Sequence, residues 1–418
     1  MSATKSFWQR WPLILATGLI FSLPAHAADA QAARDGLAQA FEQAWRRHPL
    51  AAATEARAAE ALAGRDIAAG LTPEPGSLSI GSRGDRFNRN LGSQEYEVEL
   101  AAPLWLPGQK AAREAEADSR IEEASARRDA SRLELAGELR DAWWALAAAR
   151  NAAALAARRL DTARALEADV RRLYEAGELS LIDANLARNE VHAAGSEQIE
   201  TTAALRQAQQ ALHNLTGTAV SGELGEEHPP SQQVHDASLA RPEAHPMLAA
   251  AAAAARSARA KVTLADESRR AAPELALRMV RERGDFADPY ANTIGIRLKI
   301  PFSSGAQVRR EVSAAEAEAR QAETEMMRTQ TRVQLEAERA RGSLELAAQQ
   351  LVLAQERVTL ATDNLRLSEK AFALGETDLA TLLRIRAAAF DAEALLGRQR
   401  VARAAAISRL NQALGVLP

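Results

Sequence analysis

Three glutamates, Glu95, Glu97 and Glu99, alternate with Tyr96, Val98 and Leu100. An acid at every second residue places three carboxylates on one face of a strand, where they attract cations and require water or basic partners. The second half carries the complementary charge. Arg278 sits between Leu277 and Met279, and Arg297 and Lys299 flank Leu298. Two aspartates, Asp183 and Asp378, each follow a glycine by a few residues, Gly177 and Gly375. Asp in that place is a preferred helix N-cap, and it is also a carboxylate free to face a passage.

Other chemistry is thinly represented. The histidines (His26, His48, His192, His213, His228, His235 and His245) are irregularly spaced, and there is no cysteine to complete a metal site. No metal and no cofactor are expected. No paired catalytic motif, glycine-rich phosphate loop or nucleophile elbow occurs, so an enzyme is not expected. The triplets Arg83-Gly84-Asp85 and Arg283-Gly284-Asp285 occupy equivalent positions and read as turn chemistry. Trp143-Trp144 and Met326-Met327 read as packing residues.

The elements that must position these side chains are written twice. His48-Pro49 recurs as His245-Pro246, Pro103…Gly108 as Pro301…Gly305, and Tyr174…Gly177 as Phe372…Gly375, at a nearly constant offset of about 198 residues. The expected units are a signal peptide over 1–27, a first repeat over 28–217, an inter-repeat segment over 218–244 and a second repeat over 245–418. Lys5 and Arg10, an apolar run from Trp11 to Leu23 and Ala25-His26-Ala27 carry the signal-peptide reading. With 52 basic against 55 acidic residues the net charge of −3 points to no nucleic acid. Aromatics are 4% of the chain and alanine is abundant, which favours slender, closely packed helices over a globule.

Each repeat predicts a helix, a β-hairpin, a very long helix and a further helix. The hairpins are expected at about 75–103 and 273–301, and the long helices at about 109–176 and 306–374, each on the order of 100 Å by the helical rise. Shorter helices are expected over 34–70, 184–214, 246–271 and 378–413. Two of these placed end to end match one long helix, so each repeat should pack a continuous helix antiparallel to a stacked pair. The strands alternate apolar and polar residues (Leu78 and Ile80 against Ser77, Ser79 and Ser82 in the first) and reach 9–11 residues, the length that crosses a bilayer when tilted.

An apolar ladder on one face of a hairpin must be covered, and lipid covers it while the charged face meets a wet lumen. Glu95, Glu97, Glu99, Arg278, Arg297 and Lys299 then line that lumen. Only closed barrels satisfy strand edges in lipid, and four strands cannot close. Two copies would give eight strands with an interior that side chains nearly fill, while three, the preferred reading, give twelve and an aqueous channel.

The duplication, the Pro103-Leu104…Gly108 and Pro301-Phe302…Gly305 junctions and the two aromatic-x-x-Gly tips together resemble the TolC-type outer-membrane efflux channel family, over nearly the whole chain after the leader. The resemblance implies a mainly α fold with a transmembrane β-barrel: a homotrimer whose twelve-stranded outer-membrane barrel continues into a periplasmic coiled-coil α-barrel. It implies a passive exit duct joined to a periplasmic adaptor and an inner-membrane pump of the resistance-nodulation-division type. The compact length is most similar to the heavy-metal (cobalt–zinc–cadmium or copper–silver) branch. By the family pattern Gly177, Glu178, Leu179, Gly375, Glu376 and Thr377 form periplasmic tips where an adaptor docks. Asp183 and Asp378 would form rings of three at a periplasmic gate, with helix capping as the competing reading. The competing function is a soluble periplasmic coiled-coil adaptor or scaffold. Two amphipathic hairpins of membrane-crossing length count against it.

Overall fold

The computed structural model describes residues 25–220, 222, 224–230, 244–302 and 305–418. Most of the expected signal peptide, residues 1–24, and residues 221, 223 and 231–243 of the inter-repeat segment lie outside the described residues. In chain order the elements are α1 (Ala25–Arg47), α2 (Pro49–Ala68), β1 (Ser77–Gly84), β2 (Gln94–Pro103), α3 (Gln109–Glu175) and α4 (Leu181–Thr216). Then follow α5 (Pro246–Glu267), β3 (Glu274–Arg283), β4 (Ala291–Lys299), α6 (Gly305–Ala373) and α7 (Leu379–Ala413).

The helix expected over 34–70 is two helices. Proline has no N–H and clashes with the preceding turn, so it is stable only in the first turn of a helix. Pro49 therefore starts α2, and His48 caps it by accepting from the Leu50 N–H at 3.3 Å through Nδ1. The second half repeats the device: Pro246 opens α5, and His245 Nδ1 accepts from Met247 N–H at 3.2 Å. Strand β1 has 8 residues, one short of expectation, while β2, β3 and β4 have 10, 10 and 9.

The 67-residue α3 is the spine. α2 lies along its start, tied by Arg65 to Asp118 at 2.6 Å, and α1 along its middle, where Arg132 reaches Glu42 at 2.5 Å. α4 runs back along its far end, held by Arg159 to Glu190 and Glu197 at 2.9 and 2.8 Å. In the second half α5 packs on α6 through Arg259–Glu323 and Lys261–Glu318, and α7 through Arg386–Glu369. The stacked-pair arrangement thus appears beside each long helix.

The largest core sits midway along this bundle. Leu37, Phe41 and Ala44 of α1 meet Leu135, Leu139, Trp143 and Leu146 of α3, Leu212 of α4 and Ala404 of α7. Both tryptophans pack there, as expected, and each indole N–H is satisfied: Trp143 donates to Gly225 O at 3.3 Å and Trp144 to Ser408 Oγ at 2.7 Å. Met327 departs from expectation. It is 57% exposed, because α6 is covered by its own chain on one side only.

At the other end the four strands form one antiparallel sheet in the order β1-β2-β3-β4. The β2–β3 pair joins the two hairpins, with Glu99 opposite Arg278 and Leu100 opposite Leu277. No helix among the described residues is long and apolar enough to cross a membrane.

Candidate functional sites: the sheet faces and the helical tips

Strand register sorts the sheet into two faces. One carries Leu78, Ile80, Tyr96, Val98, Leu100, Leu275, Leu277, Met279, Ile294, Ile296 and Leu298, and these side chains are exposed. Ile80 is 76% exposed and Ile296 77%, far beyond what a water-facing surface tolerates as a continuous patch. Aromatic and arginine side chains gather at the hairpin-loop end: Tyr96 lies 6.5 Å from Tyr290, with Phe286 and Phe87 exposed beside them. Trp105, which donates to Gly70 O, and the exposed Phe302 mark the helical end. An apolar band between aromatic girdles is the exterior of a membrane barrel. Ser82, expected on the polar face, pairs with Tyr96 and so shares the apolar face near its rim.

The opposite face holds all six expected lumen residues, and the register adds Arg83, Glu274 and Glu282. The glutamate ladder is not an uncompensated anionic strip. Arg278 Nε lies 2.5 Å from Glu97 Oε1 and its Nη2 3.4 Å from Glu95, while Arg297 pairs with Glu99. Lys299 stands opposite Glu274. The negative charge of the ladder is therefore largely offset across the strands. Glu99 keeps one oxygen, Oε2, buried without a hydrogen-bond partner.

The tips at the far end are built alike. After α3, Gly177 takes φ 82°, its N–H donates to Tyr174 O at 2.9 Å and Glu178 N–H to Leu173 O at 2.9 Å. After α6, Gly375 takes φ 75°, and Glu376 N–H donates to Ala371 O at 2.8 Å. Both are Schellman closures, in which glycine supplies the left-handed residue. A Cβ at either glycine would meet nothing within 4 Å, so backbone angle and not crowding demands glycine, and both tips stand free.

The next helix starts at once. Ser180, not Asp183, is the N-cap of α4, and Asp183 completes a capping box by accepting from the Ser180 N–H at 3.1 Å. Asp378 is the N-cap of α7 and accepts from Thr381 N–H at 2.7 Å. That backbone hydrogen bond holds the Asp378 carboxyl below the usual carboxylate range. Capping thus accounts for both aspartates within one chain.

Of the histidines, His245 is 3% exposed, and its burial pushes its pKa below the ordinary value against a hydrogen bond with the Ala413 backbone. No cluster of three or more metal-ligating side chains occurs among the described residues.

Two features escaped the sequence reading. Leu346, Leu353, Leu360 and Leu367 of α6 and Leu374 just after it are all exposed and spaced by seven residues, a coiled-coil seam with no partner among the described residues. The strict heptad was visible in the sequence. The second is Arg140, 3% exposed, whose guanidinium grips Glu227 with two hydrogen bonds of 2.9 and 2.6 Å and reaches Gln412 Oε1 and Val416 O at 2.6 and 3.0 Å. It pins the segment after α4, and the end of α7, to the spine.

A sheet with a membrane exterior and a charged interior, carried on helices on the order of 100 Å long, defines an outer-membrane channel with a periplasmic helical extension. The family profile described as outer membrane efflux protein matches residues 40–218 and 241–416, and the chain belongs to that family. Its fold is similar to the outer membrane protein VceC of Vibrio cholerae (16% identity, 91% of this chain and 96% of that one, TM-score 0.74). It is similar also to the Campylobacter jejuni CmeC outer membrane channel (15%, 91% and 86%, 0.72) and to the open Neisseria gonorrhoeae MtrE outer membrane channel (17%, 91% and 89%, 0.72). Among curated protein sequences none matches. Members of this family are channels and not enzymes.

Proposed function

We propose that this chain is the passive exit duct of a tripartite exporter, a homotrimer whose three sheets close one twelve-stranded barrel. The observation that carries this is the open sheet. Among the described residues β1 and β4 are unpaired edges flanking an apolar, exposed face, and in lipid every edge must pair. Closing β1 of one copy on β4 of the next satisfies all edges, and the heptad leucines of α6 then find a helix of the neighbouring copy. The free Schellman tips dock the hairpin tips of a periplasmic adaptor, which links the duct to an inner-membrane pump of the resistance-nodulation-division type. The cargo is a heavy-metal cation or a small toxic compound. A duct needs no tight ligand for its cargo, since strong binding slows release. A soluble adaptor is disfavoured by the exposed apolar sheet face.

The chain has no cysteine, so a single pair can be introduced on a clean background. Ser79→Cys in β1 with Gly295→Cys in β4, treated with a short bis-thiol cross-linker in membranes, should give dimer and trimer bands. A trimer band absent in either single variant supports closure between copies. Monomer alone under saturating reagent contradicts it.

A further inference from the structure

The loop end of the sheet carries charge where a barrel exterior should carry none. Arg281 and Arg283 occupy the register of Met279, Leu277 and Leu275, and so point out from the apolar face. They lie on β3, an inner strand of the sheet, so pairing with a neighbouring copy at β1 or β4 leaves them uncovered. Arg281 is exposed, one alternation, about 7 Å, beyond Met279. That is the height at which an apolar band gives way to headgroups.

Both guanidinium groups lie over aromatic rings. Arg281 is 4.7 Å from the Tyr290 ring centroid, and Arg283 is 4.9 Å from Tyr290 and 5.4 Å from Phe286. Arg283 is further fixed by donating to Gly92 O at 3.0 Å and Gln94 Oε1 at 3.1 Å. Their neighbours across the strands on this face are Gln94, Tyr96 and Asn292, and none is acidic. Of the acids nearby, Asp288 sits in the second loop with its carboxylate against Gly284, and the others are engaged elsewhere. Glu95 and Glu282 belong to the opposite face. Asp85 accepts from the Leu91 and Gly92 N–H groups, and Asp285 from those of Ala287 and Asp288. Arg86 and Arg89 add exposed positive charge in the first loop.

We propose that Arg281 and Arg283, framed by Tyr96, Tyr290 and Phe286, form a site on the barrel exterior for the phosphomonoester headgroup of an outer-leaflet glycolipid. A planar guanidinium pairs a phosphate bidentately while its stacked ring holds the fork in place. The aromatic rings sit at headgroup level as an interfacial belt. The proposal rests on the channel reading, because only a membrane-embedded sheet brings this face to lipid.

The test uses the full-length protein purified in detergent, with bisphosphorylated lipid A and its dephosphorylated form as probes and retained lipid counted by native mass spectrometry. Each arginine near an anionic lipid surface favours binding by about fivefold. Arg281→Gln should weaken lipid A retention by about that factor, and Arg281→Lys should keep most of it. The wild type should prefer the phosphorylated over the dephosphorylated lipid, and 10 mM inorganic phosphate should compete weakly. Equal retention of both lipids, or no loss in Arg281→Gln, would reduce these arginines to side chains reaching for water and overturn the site. Arg283→Gln is a weaker test, since it also cuts hydrogen bonds of the hairpin loop. Single-channel conductance of the same preparations separates failures: conducting protein without lipid preference sinks the site alone, whereas protein that never inserts sinks the channel reading.

Discussion

Removing the positive charges of the sheet interior should turn a nearly neutral passage into a cation-selective one. The polar face carries Arg83, Arg278, Arg297 and Lys299 against Glu95, Glu97, Glu99, Glu274 and Glu282. Replacing Arg278 and Arg297 by Gln removes two positive charges per chain, frees Glu97 and Glu99 from their partners and leaves Glu95 with Arg83 alone, at 3.9 Å. In a trimer that is a change of six charges around one lumen. Taking the wall at about 15 Å from the axis, each contributes about 0.3 kcal/mol for a monovalent ion in water, or about 1.7 kcal/mol together before screening. Screening leaves about 1 kcal/mol in 10 mM salt and about 0.4 kcal/mol in 100 mM. Potassium should therefore be enriched and chloride depleted about fivefold each in dilute salt, and about twofold each at the higher concentration. Reversal potentials of single channels in planar bilayers under a KCl gradient read this directly. The permeability ratio of the double variant should rise about 25-fold over wild type in 10 mM salt and about fourfold in 100 mM. A ratio unchanged at 10 mM would refute the assignment of this face to the lumen.

Arg140→Ala leaves the Glu227 carboxylate, 12% exposed, without its guanidinium, which costs about 3–5 kcal/mol for a buried pair broken on one side. At about 2.1 cal/mol/K per residue for a chain of 418 residues, that lowers the Tm by about 3–6 °C; an unchanged melt would deny the clamp. His245 has a lowered pKa, so the unfolded chain binds its proton first, and stability should be flat above about pH 7 and decline as the pH falls below about 6.5. His245→Asn, which keeps a capping acceptor, should flatten that decline in thermal melts between pH 7.5 and 5.5; an unaltered slope would place the titration elsewhere. Gly375→Ala and Gly375→Trp incur the same left-handed backbone cost of about 1–2 kcal/mol, but only Trp adds bulk to the free tip. Efflux lost in Trp and retained in Ala, at equal expression, is expected; equal efflux in both would remove the tip from the docking surface.

Much of the fold was legible because its signals are local. Strand parity follows from alternation alone, so the apolar face from Leu78 to Leu298 and the charged face from Glu95 to Lys299 could be read in advance, with Ser82 the exception. The glycines closing the long helices follow from the φ > 0 that a Schellman turn demands. Boundaries set by one residue were less legible: helical periodicity continues through Arg47 and Leu50, and only the missing N–H of Pro49 divides α1 from α2. Ser180 and Asp183 are both good capping residues, and only the geometry of the turn decides which is the N-cap. Pairings across distant sequence were not legible at all. That Arg278 neutralises Glu97 depends on β2–β3 register, and that Arg140 meets Glu227 depends on how the chain returns after α4. The heptad leucines of α6 were visible as letters, but their exposure, which gives them meaning, belongs to the packed structure.

Three copies should share one barrel and one helical body. Electron microscopy of the protein extracted by detergent from outer membranes tests it most directly. Three-fold particles roughly 130 Å long, a helical body on the order of 100 Å plus a barrel tall enough for a bilayer, are the predicted result. Soluble monomers or short globular particles would contradict it.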